Sequence, residues 1–95
     1  MGYQIDYLLK YLSNDTFKKL KQNKGDYILE DLENNRVQVD LNIRFLIKYG
    51  VTNIDKVVYN WIEELLVSHN EFIDKVNKYE ESLGKDGFIQ MFENV

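Results

Sequence analysis

Hydrophobic residues in this chain recur at the three- and four-residue spacing that is typical of amphipathic α-helices. The clearest run begins at Ile54 and continues to Leu66, and it places its apolar side chains on one face of a helix. No segment shows the alternation of apolar and polar residues that indicates a half-buried strand, and no proline occurs. The pattern therefore predicts an all-α fold.

Capping residues and glycines mark the expected ends of the first helices. One helix is predicted over residues 3–12. A second begins after an N-cap at Ser13 or Asn14, continues to about Asn23 and is expected to be ended by Gly25. An apolar connector of a single turn is expected next, and it comprises Tyr27, Ile28, Leu29 and Leu32.

A third helix, over residues 35–49, is apolar on more than one side, which indicates packing on more than one side. It is therefore predicted to be the central helix. One stripe consists of Val37, Leu41, Phe45 and Lys48, and it is widened by Val39, Ile43, Leu46 and Ile47. Gly50 stands where a C′ residue with positive φ would end the helix.

Two capping motifs open the later helices. Thr52-x-x-Asp55 resembles a capping box, and residues 68–71 (Ser-His-Asn-Glu) form a full one. The helix after the second box is expected to stop at Gly84, again with positive φ. Asp86 is a cap candidate for a last short helix, whose apolar residues are Phe88, Ile89, Phe92 and Val95.

The chain also repeats itself at intervals of 34 to 38 residues. Residues 7–11, 45–49 and 79–83 align, and the latter two stretches are followed by Gly50 and Gly84, which are 34 residues apart. A second run follows each stretch, at Phe17, Leu20 and Asn23, then Ile54, Val57 and Asn60, then Phe88, Met91 and Asn94. Self-similarity at this period is typical of helical-repeat arrays. Residues 1–95 are therefore predicted to form a single domain, a compact, solenoid-like stack of five to six short helices, right- or left-handed.

One set of residues resembles the repeat of the mitochondrial transcription termination factor (mTERF) family. The set consists of residues 45–58, the pair Leu65-Leu66 and a helix that ends at Leu83-Gly84. The resemblance covers residues 27–95 and implies helix triads that stack into a curved solenoid and bind nucleic acid. The chain departs from the family pattern in two respects. It has no proline, with Trp61 or Lys24 near that place, and it has no basic concave stripe.

The helical periodicity also predicts which side chains are buried together. The expected core consists of Leu41, Phe45, Leu46, Ile54, Val57, Val58, Trp61, Ile62, Leu65, Phe72, Val76 and Leu83.

Composition describes one ordinary globular domain of 95 residues, with 44% hydrophobic and 29% charged side chains. There is no cysteine, which excludes disulfides and thiolate chemistry and fits a reducing, cytoplasmic location. Neither a membrane span nor a signal peptide is expected. The net charge of −4 is uneven. Residues 1–24 contain five lysines and two aspartates, whereas residues 62–95 contain three lysines and eight acidic residues.

Lys18, Lys19 and Lys21 are the best candidates for phosphate binding, because clustered lysines attract polyanions. The same residues also suit the solvent face of a short helix. The sequence pI of 4.9 disfavours a nucleic-acid partner, which stays the alternative.

Tyr3, Tyr7 and Tyr11 are spaced four residues apart and would form a ridge along the first helix. Tyrosine and tryptophan are enriched at interface hot spots, so the ridge is a candidate recognition surface. Alternatively, the three rings cover the edge of the core. Trp61 and Tyr59 are further aromatic candidates for a surface.

Candidate catalytic chemistry is sparse. His69, the one histidine, is expected to be exposed in the first turn of a helix, where Ser68 and Glu71 already serve as capping groups. Adjacent glutamates diverge on a helix and suit no metal, and no phosphate-binding glycine loop or nucleophile motif occurs. No enzyme activity, cofactor or metal is predicted.

These features predict a small, acidic, non-enzymatic protein-binding module of the inhibitor, immunity or adaptor type, from a bacterium or a phage. The expected partner is another protein. The alternative is an mTERF-like helical-repeat protein that binds nucleic acid. The sequence leaves the oligomeric state open.

Overall fold

A computed structural model describes residues 3–93, without the side chain of Phe92. Five α-helices make up most of this part of the chain: α1 (Asn14–Asn23), α2 (Asp26–Asn34), α3 (Arg36–Tyr49), α4 (Ile54–Asn60) and α5 (His69–Glu93). Two 3₁₀ turns complete it, at Asp6–Lys10 and Glu64–Leu66. Residues 3–93 contain no strand, so the predicted all-α class is confirmed. The predicted positions Asn94 and Val95 lie outside the described residues.

The helix predicted over residues 3–12 is wrong, because only Asp6–Lys10 is helical and it forms a 3₁₀ turn. Its N-cap position is Ile5, whose side chain makes no capping hydrogen bond and is buried. A 3₁₀ turn has three residues per turn, so residues four apart do not align along it. Tyr3, Tyr7 and Tyr11 therefore do not form a helical ridge.

The single-turn connector after Gly25 is also wrong, because the chain forms the nine-residue helix α2 there. Gly25 is the N-cap of this helix, with φ −69° and ψ 160°, and does not stop the previous one. Asp26 in the first turn complements the positive end of the helix dipole. The buried residues Ile28, Leu29 and Leu32 attach one face of α2 to the core.

The prediction that the third helix is central is confirmed. α3 packs against α2, α4, α5 and both 3₁₀ turns. Its inward face carries Val39, Ile43 and Leu46, which have no exposed surface. The prediction of packing on more than one side does not hold for the opposite stripe, which is open to solvent, with Val37 63% and Ile47 44% exposed.

The two glycines predicted to have positive φ do so. Gly50 ends α3 at φ 120°, where its N–H bonds the carbonyls of Leu46 and Ile47. Gly84 has φ 75° and ψ 166° and breaks α5 into two helical segments. The segment after Gly84 folds back so that Phe88 is fully buried, between the rings of Tyr49 and Tyr79.

Two helix starts are stabilised by carboxylates from distant parts of the chain, which corrects the predicted capping box at Thr52. Asp55 accepts hydrogen bonds from the Ser13 N–H (2.7 Å) and the Thr16 hydroxyl (2.7 Å) at the start of α1. Glu93 accepts from the Thr52 N–H (2.8 Å) and hydroxyl (2.7 Å) at the start of α4.

The full capping box predicted at residues 68–71 is present only in part. The Ser68 hydroxyl oxygen accepts from the Glu71 N–H at 3.3 Å, but among residues 3–93 the Ser68 N–H makes no hydrogen bond to the Glu71 carboxylate.

Most of the predicted core is buried. Leu46, Val57, Val58, Ile62, Leu65, Phe72 and Val76 are buried, and Leu41, Phe45, Ile54 and Trp61 are half-buried. Leu83 is 48% exposed, against the prediction, because the break at Gly84 directly after it interrupts the helical stripe to which it was assigned. Phe88, from beyond the break, occupies the core instead.

Candidate binding groove

A groove of about 400 Å³ lies between the second 3₁₀ turn and the two segments of α5. Its walls are the residues Trp61, Glu64, Phe72, Lys75, Val76, Lys78, Tyr79, Ser82 and Phe88. Trp61 is positioned by the end of α4, where the chain leaves the helix and passes into the 3₁₀ turn. The opposite wall is one face of α5, because residues three and four apart lie on the same side of a helix.

The floor of the groove is apolar and buried. Phe72 and Val76 are buried on α5, and Phe88 is fully buried after the break at Gly84. The rings of Tyr79 and Phe88 lie 5.7 Å apart at 30°, and Phe88 meets Tyr49 edge to face at 5.3 Å. These ring contacts connect the floor to Tyr49 on α3 and to Tyr79 at the rim.

The rim combines exposed aromatic surface with charge. Tyr79 is 44% exposed at this rim. Lys75 and Lys78 are exposed on the α5 side, and Glu64 is exposed on the opposite side. A concave apolar site with a few charged groups at its rim suits a large apolar side chain that is flanked by polar or acidic groups.

The sequence-predicted tyrosines lie elsewhere, and two of them bind groups of the same chain. The Tyr7 hydroxyl donates to the Leu32 carbonyl at 2.7 Å, and the Tyr11 hydroxyl donates to Asp40 at 2.6 Å. Tyr3 is half-buried against the core. These contacts match the expectation that the rings cover the core edge, while their role in recognition stays a prediction.

Asp40 joins the first 3₁₀ turn to α3. It accepts from the Tyr11 hydroxyl and from the Lys10 ammonium, which lies 3.0 Å away. Partial burial alone would raise the pKa of Asp40, but these two hydrogen bonds and the charges of Lys10 and Arg44 outweigh it, so its pKa is lowered. Burial, with the hydrogen bond to Asp40, raises the pKa of Tyr11 to about 12.

The predicted lysine cluster is on the exposed side of α1. Lys18 and Lys19 line a shallow depression with Asp15 and Gln22. Lys21 is also exposed, but its ammonium lies 4.9 Å from the centre of the Phe17 ring. The structure therefore brings two of the three lysines to one surface and directs the third onto an aromatic ring.

His69 is half-buried, which corrects its expected exposure. Its ring Nδ1 lies 2.9 Å from the Asn42 side-chain oxygen. Its backbone N–H donates to the side-chain oxygen of Gln38 at 2.6 Å. Its ring meets the Phe45 ring edge to face at 6.1 Å. Residues 3–93 contain no group of three His, Asp or Glu side chains that suits a metal ion. In the same range, no helix is both long and apolar enough to cross a membrane.

Sequence reasoning found only part of the groove. The sequence predicts Trp61 both as a core residue and as a candidate surface aromatic, and it predicts Phe72 and Val76 as core residues. Tyr79 and Phe88 are nine residues apart and meet only because of the break at Gly84. Helical periodicity alone could not bring them together, although the glycine itself signalled a break.

Comparison with known protein families, curated proteins and solved structures gives no match to this chain.

Proposed function

We propose that this protein is a non-enzymatic protein-binding module that takes up a large apolar side chain of a partner protein in the groove between the second 3₁₀ turn and α5. The observation that supports this most is the preformed aromatic floor next to the exposed ring of Tyr79. Aromatic anchors in pre-organised pockets account for most of the binding energy at protein interfaces.

The inhibitor, immunity or adaptor type remains the proposed class, with a bacterial or phage origin and a cytoplasmic location. Two features support it: the acidic, cysteine-free composition and the small size of the chain. The proposal asks for no chemistry from His69, whose Nδ1 is engaged with Asn42.

The test is selection of peptides from a random display library on the immobilised protein. Selected peptides are expected to share a tryptophan, phenylalanine or leucine and to compete with one another. Tyr79→Ala should weaken the affinity for these peptides at least about tenfold, as truncation of a hot-spot aromatic does.

The matched control is Tyr27→Ala, which removes a 67% exposed tyrosine from α2, outside the groove, and should leave the affinity unchanged. Both variants should show the wild-type circular dichroism spectrum. Selected peptides that bind the Tyr79 variant as well as the wild type would contradict the proposal.

We also propose that the fold is a helical-repeat array. Gly50 and Gly84 support this, because both follow a helical segment, both have positive φ, and they are 34 residues apart. An mTERF-like protein that binds nucleic acid is the second candidate function.

The observation in favour of nucleic-acid binding is the exposed pair Lys18 and Lys19 beside Gln22 on α1. The test is titration of labelled single- and double-stranded DNA and RNA at about 0.15 M salt, where phosphate contacts are weakened but not abolished. Micromolar binding that is lost when Lys18, Lys19 and Lys21 are changed to Glu would favour this candidate over the protein-binding module.

A further inference from the structure

The outward face of α3 is cationic, although the chain as a whole carries a net charge of −4. The two arginines of the chain, Arg36 and Arg44, both lie on this face, with Lys48 one turn further along. All three are exposed. Arginine is enriched at protein interfaces because its planar guanidinium binds carboxylates in a bidentate manner.

The carboxylates near this face are already engaged with groups of the same chain. Asp40 accepts from Lys10 and Tyr11, and its contact with Arg44 is long, at 3.9 Å. Glu33, at the α2 end, accepts from the Gln4 N–H. Within residues 3–93, neither Arg36 nor Lys48 forms an ion pair. Most of the positive charge on this face is thus available to a partner.

Apolar side chains lie among these cations. Val37 is 63% exposed and Ile47 is 44% exposed, while Leu41 is half-buried between them. Val37 and Leu41 line a depression of about 350 Å³ between the first 3₁₀ turn and α3. The same depression is lined by Lys10, Arg36 and Arg44, and by Asp40, whose carboxylate is engaged with Lys10 and Tyr11. Apolar and mainly cationic surface therefore lie along a single trough.

We infer that this trough is a second docking surface, which binds an acidic amphipathic helix of a partner protein. Arg36 and Arg44 are eight residues apart, which is about 12 Å along the α3 axis. Carboxylates seven or eight residues apart on a partner helix have the same spacing, and an apolar stripe between them would cover Val37 and Leu41. The exposed apolar positions favour a protein helix over a nucleic acid, which contacts cations mainly through phosphates.

The inference is independent of the groove, because none of its residues lines that groove. The probe is a labelled 16-residue helical peptide with a leucine stripe flanked by glutamates at a seven-residue spacing. The control peptide replaces each glutamate with glutamine. Fluorescence anisotropy should show saturable binding of the first peptide only, and its affinity should fall as salt rises, since screening weakens exposed ion pairs.

The test variant is the double substitution Arg36→Glu and Arg44→Glu. It should weaken binding of the glutamate peptide at least about tenfold, because attraction becomes repulsion at two positions. The control is the double substitution Lys18→Glu and Lys19→Glu on α1. It changes the net charge of the protein by the same amount and should leave the affinity for the glutamate peptide unchanged. Val37→Ser should also weaken binding, because the apolar contact is lost.

Three results would overturn the inference. The first is equal affinity for the two peptides, and the second is an equal loss of peptide affinity in the α1 control variant. The third is tight binding of a single-stranded oligonucleotide that the arginine substitutions abolish, together with failure of the glutamate peptide to bind. Peptides selected for the groove should bind the Arg36 and Arg44 variant normally, so failure here and failure of the proposed function are distinguishable.

Discussion

The side-chain oxygen of Asn42 lies 2.9 Å from Nδ1 of His69, and this contact joins the middle of α3 to the first residue of α5. Asn42 is fully buried, and its amide group donates to the carbonyls of Leu65 and Val67, both at 3.0 Å. One side chain therefore supplies hydrogen-bond donors to the backbone carbonyls at the point where the second 3₁₀ turn ends and α5 begins.

Replacing Asn42 with Ala should cost about 2–5 kcal/mol of unfolding free energy, because two carbonyls lose their donor and a buried volume is emptied. Asn42→Asp should be destabilising as well, since an ionised carboxylate cannot donate to either carbonyl. Urea denaturation measures both. The control is Asn77→Ala on the exposed side of α5, where a change within about 0.5 kcal/mol is expected. Equal losses of unfolding free energy for Asn42→Ala and Asn77→Ala would show that the contacts of Asn42 contribute little to stability.

Gly84→Ala should destabilise the fold by about 1–3 kcal/mol through backbone strain alone. A Cβ at Gly84 would meet no atom within 4 Å, but φ 75° with ψ 166° lies in a region that is almost exclusive to glycine. Gly50→Ala should also be destabilising through its φ of 120° alone, since a Cβ there would lie 3.4 Å from the Ile89 side chain, which is an ordinary contact. Chemical denaturation of both variants is the measurement. A Gly84 variant as stable as the wild type would mean that the break in α5 is not held at this residue.

The sequence predicts well where a single glycine decides the structure. The clearest helical period, from Ile54 to Leu66, does not form one helix, because α4 ends at Asn60 and a separate 3₁₀ turn follows at Glu64–Leu66. Gly50 and Gly84 were identified from their positions alone, and α3 was recognised as central because apolar residues surround it. α2 was missed because Gly25 reads equally as the end of one helix and the start of the next. The first 3₁₀ turn was missed because apolar residues three and four apart also suit an α-helix.

Contacts between distant residues lay beyond local patterns. Asp55 binds Ser13 from 42 residues away and Glu93 binds Thr52 from 41 residues away, so neither pair has a signature in a short window. The groove depends in the same way on the direction of α5 after Gly84, which brings Phe88 under Tyr79.

Glu93 should make stability depend on pH in the acidic range. Hydrogen bonds from the Thr52 hydroxyl and from the Thr52 and Asn53 N–H groups lower its pKa below the ordinary value of 4.5. A lowered pKa in the folded state means that the stabilisation is complete above about pH 4.5 and is lost as pH falls through the lower folded value.

Glu93→Gln should therefore flatten the decline of unfolding free energy with falling pH, as measured by urea denaturation between about pH 5 and pH 3. The exposed Glu81→Gln variant serves as the control and should keep the wild-type slope. An unchanged slope in the Glu93 variant would rule out this carboxylate as a source of the acid sensitivity.

Tyr11 should make stability depend on pH in the alkaline range. Burial and the hydrogen bond to Asp40 raise its pKa from 10.0 to about 12, so the folded state favours the neutral phenol. The associated stabilisation is present below about pH 10 and is lost as pH rises through about 12.

Tyr11→Phe should lower the stability at neutral pH by about 1 kcal/mol, since one hydrogen bond is removed, and should reduce the additional loss above pH 10. Thermal melts at pH 7 and in the alkaline range measure both effects. Tyr27→Phe, at a 67% exposed position, is the control and should change neither. A Tyr11 variant with the wild-type alkaline profile would contradict this assignment.

Trp61 is the one tryptophan of the chain and lines the groove, so its fluorescence reports directly on occupancy. The decisive measurement is a fluorescence titration with a library-selected peptide that contains no tryptophan, on the wild type and on the Tyr79→Ala and Tyr27→Ala variants. The proposed function predicts a saturable change of Trp61 emission that is weakened at least about tenfold by Tyr79→Ala and is unaffected by Tyr27→Ala. Peptide binding that leaves the Trp61 emission unchanged, or that tolerates Tyr79→Ala, would contradict it.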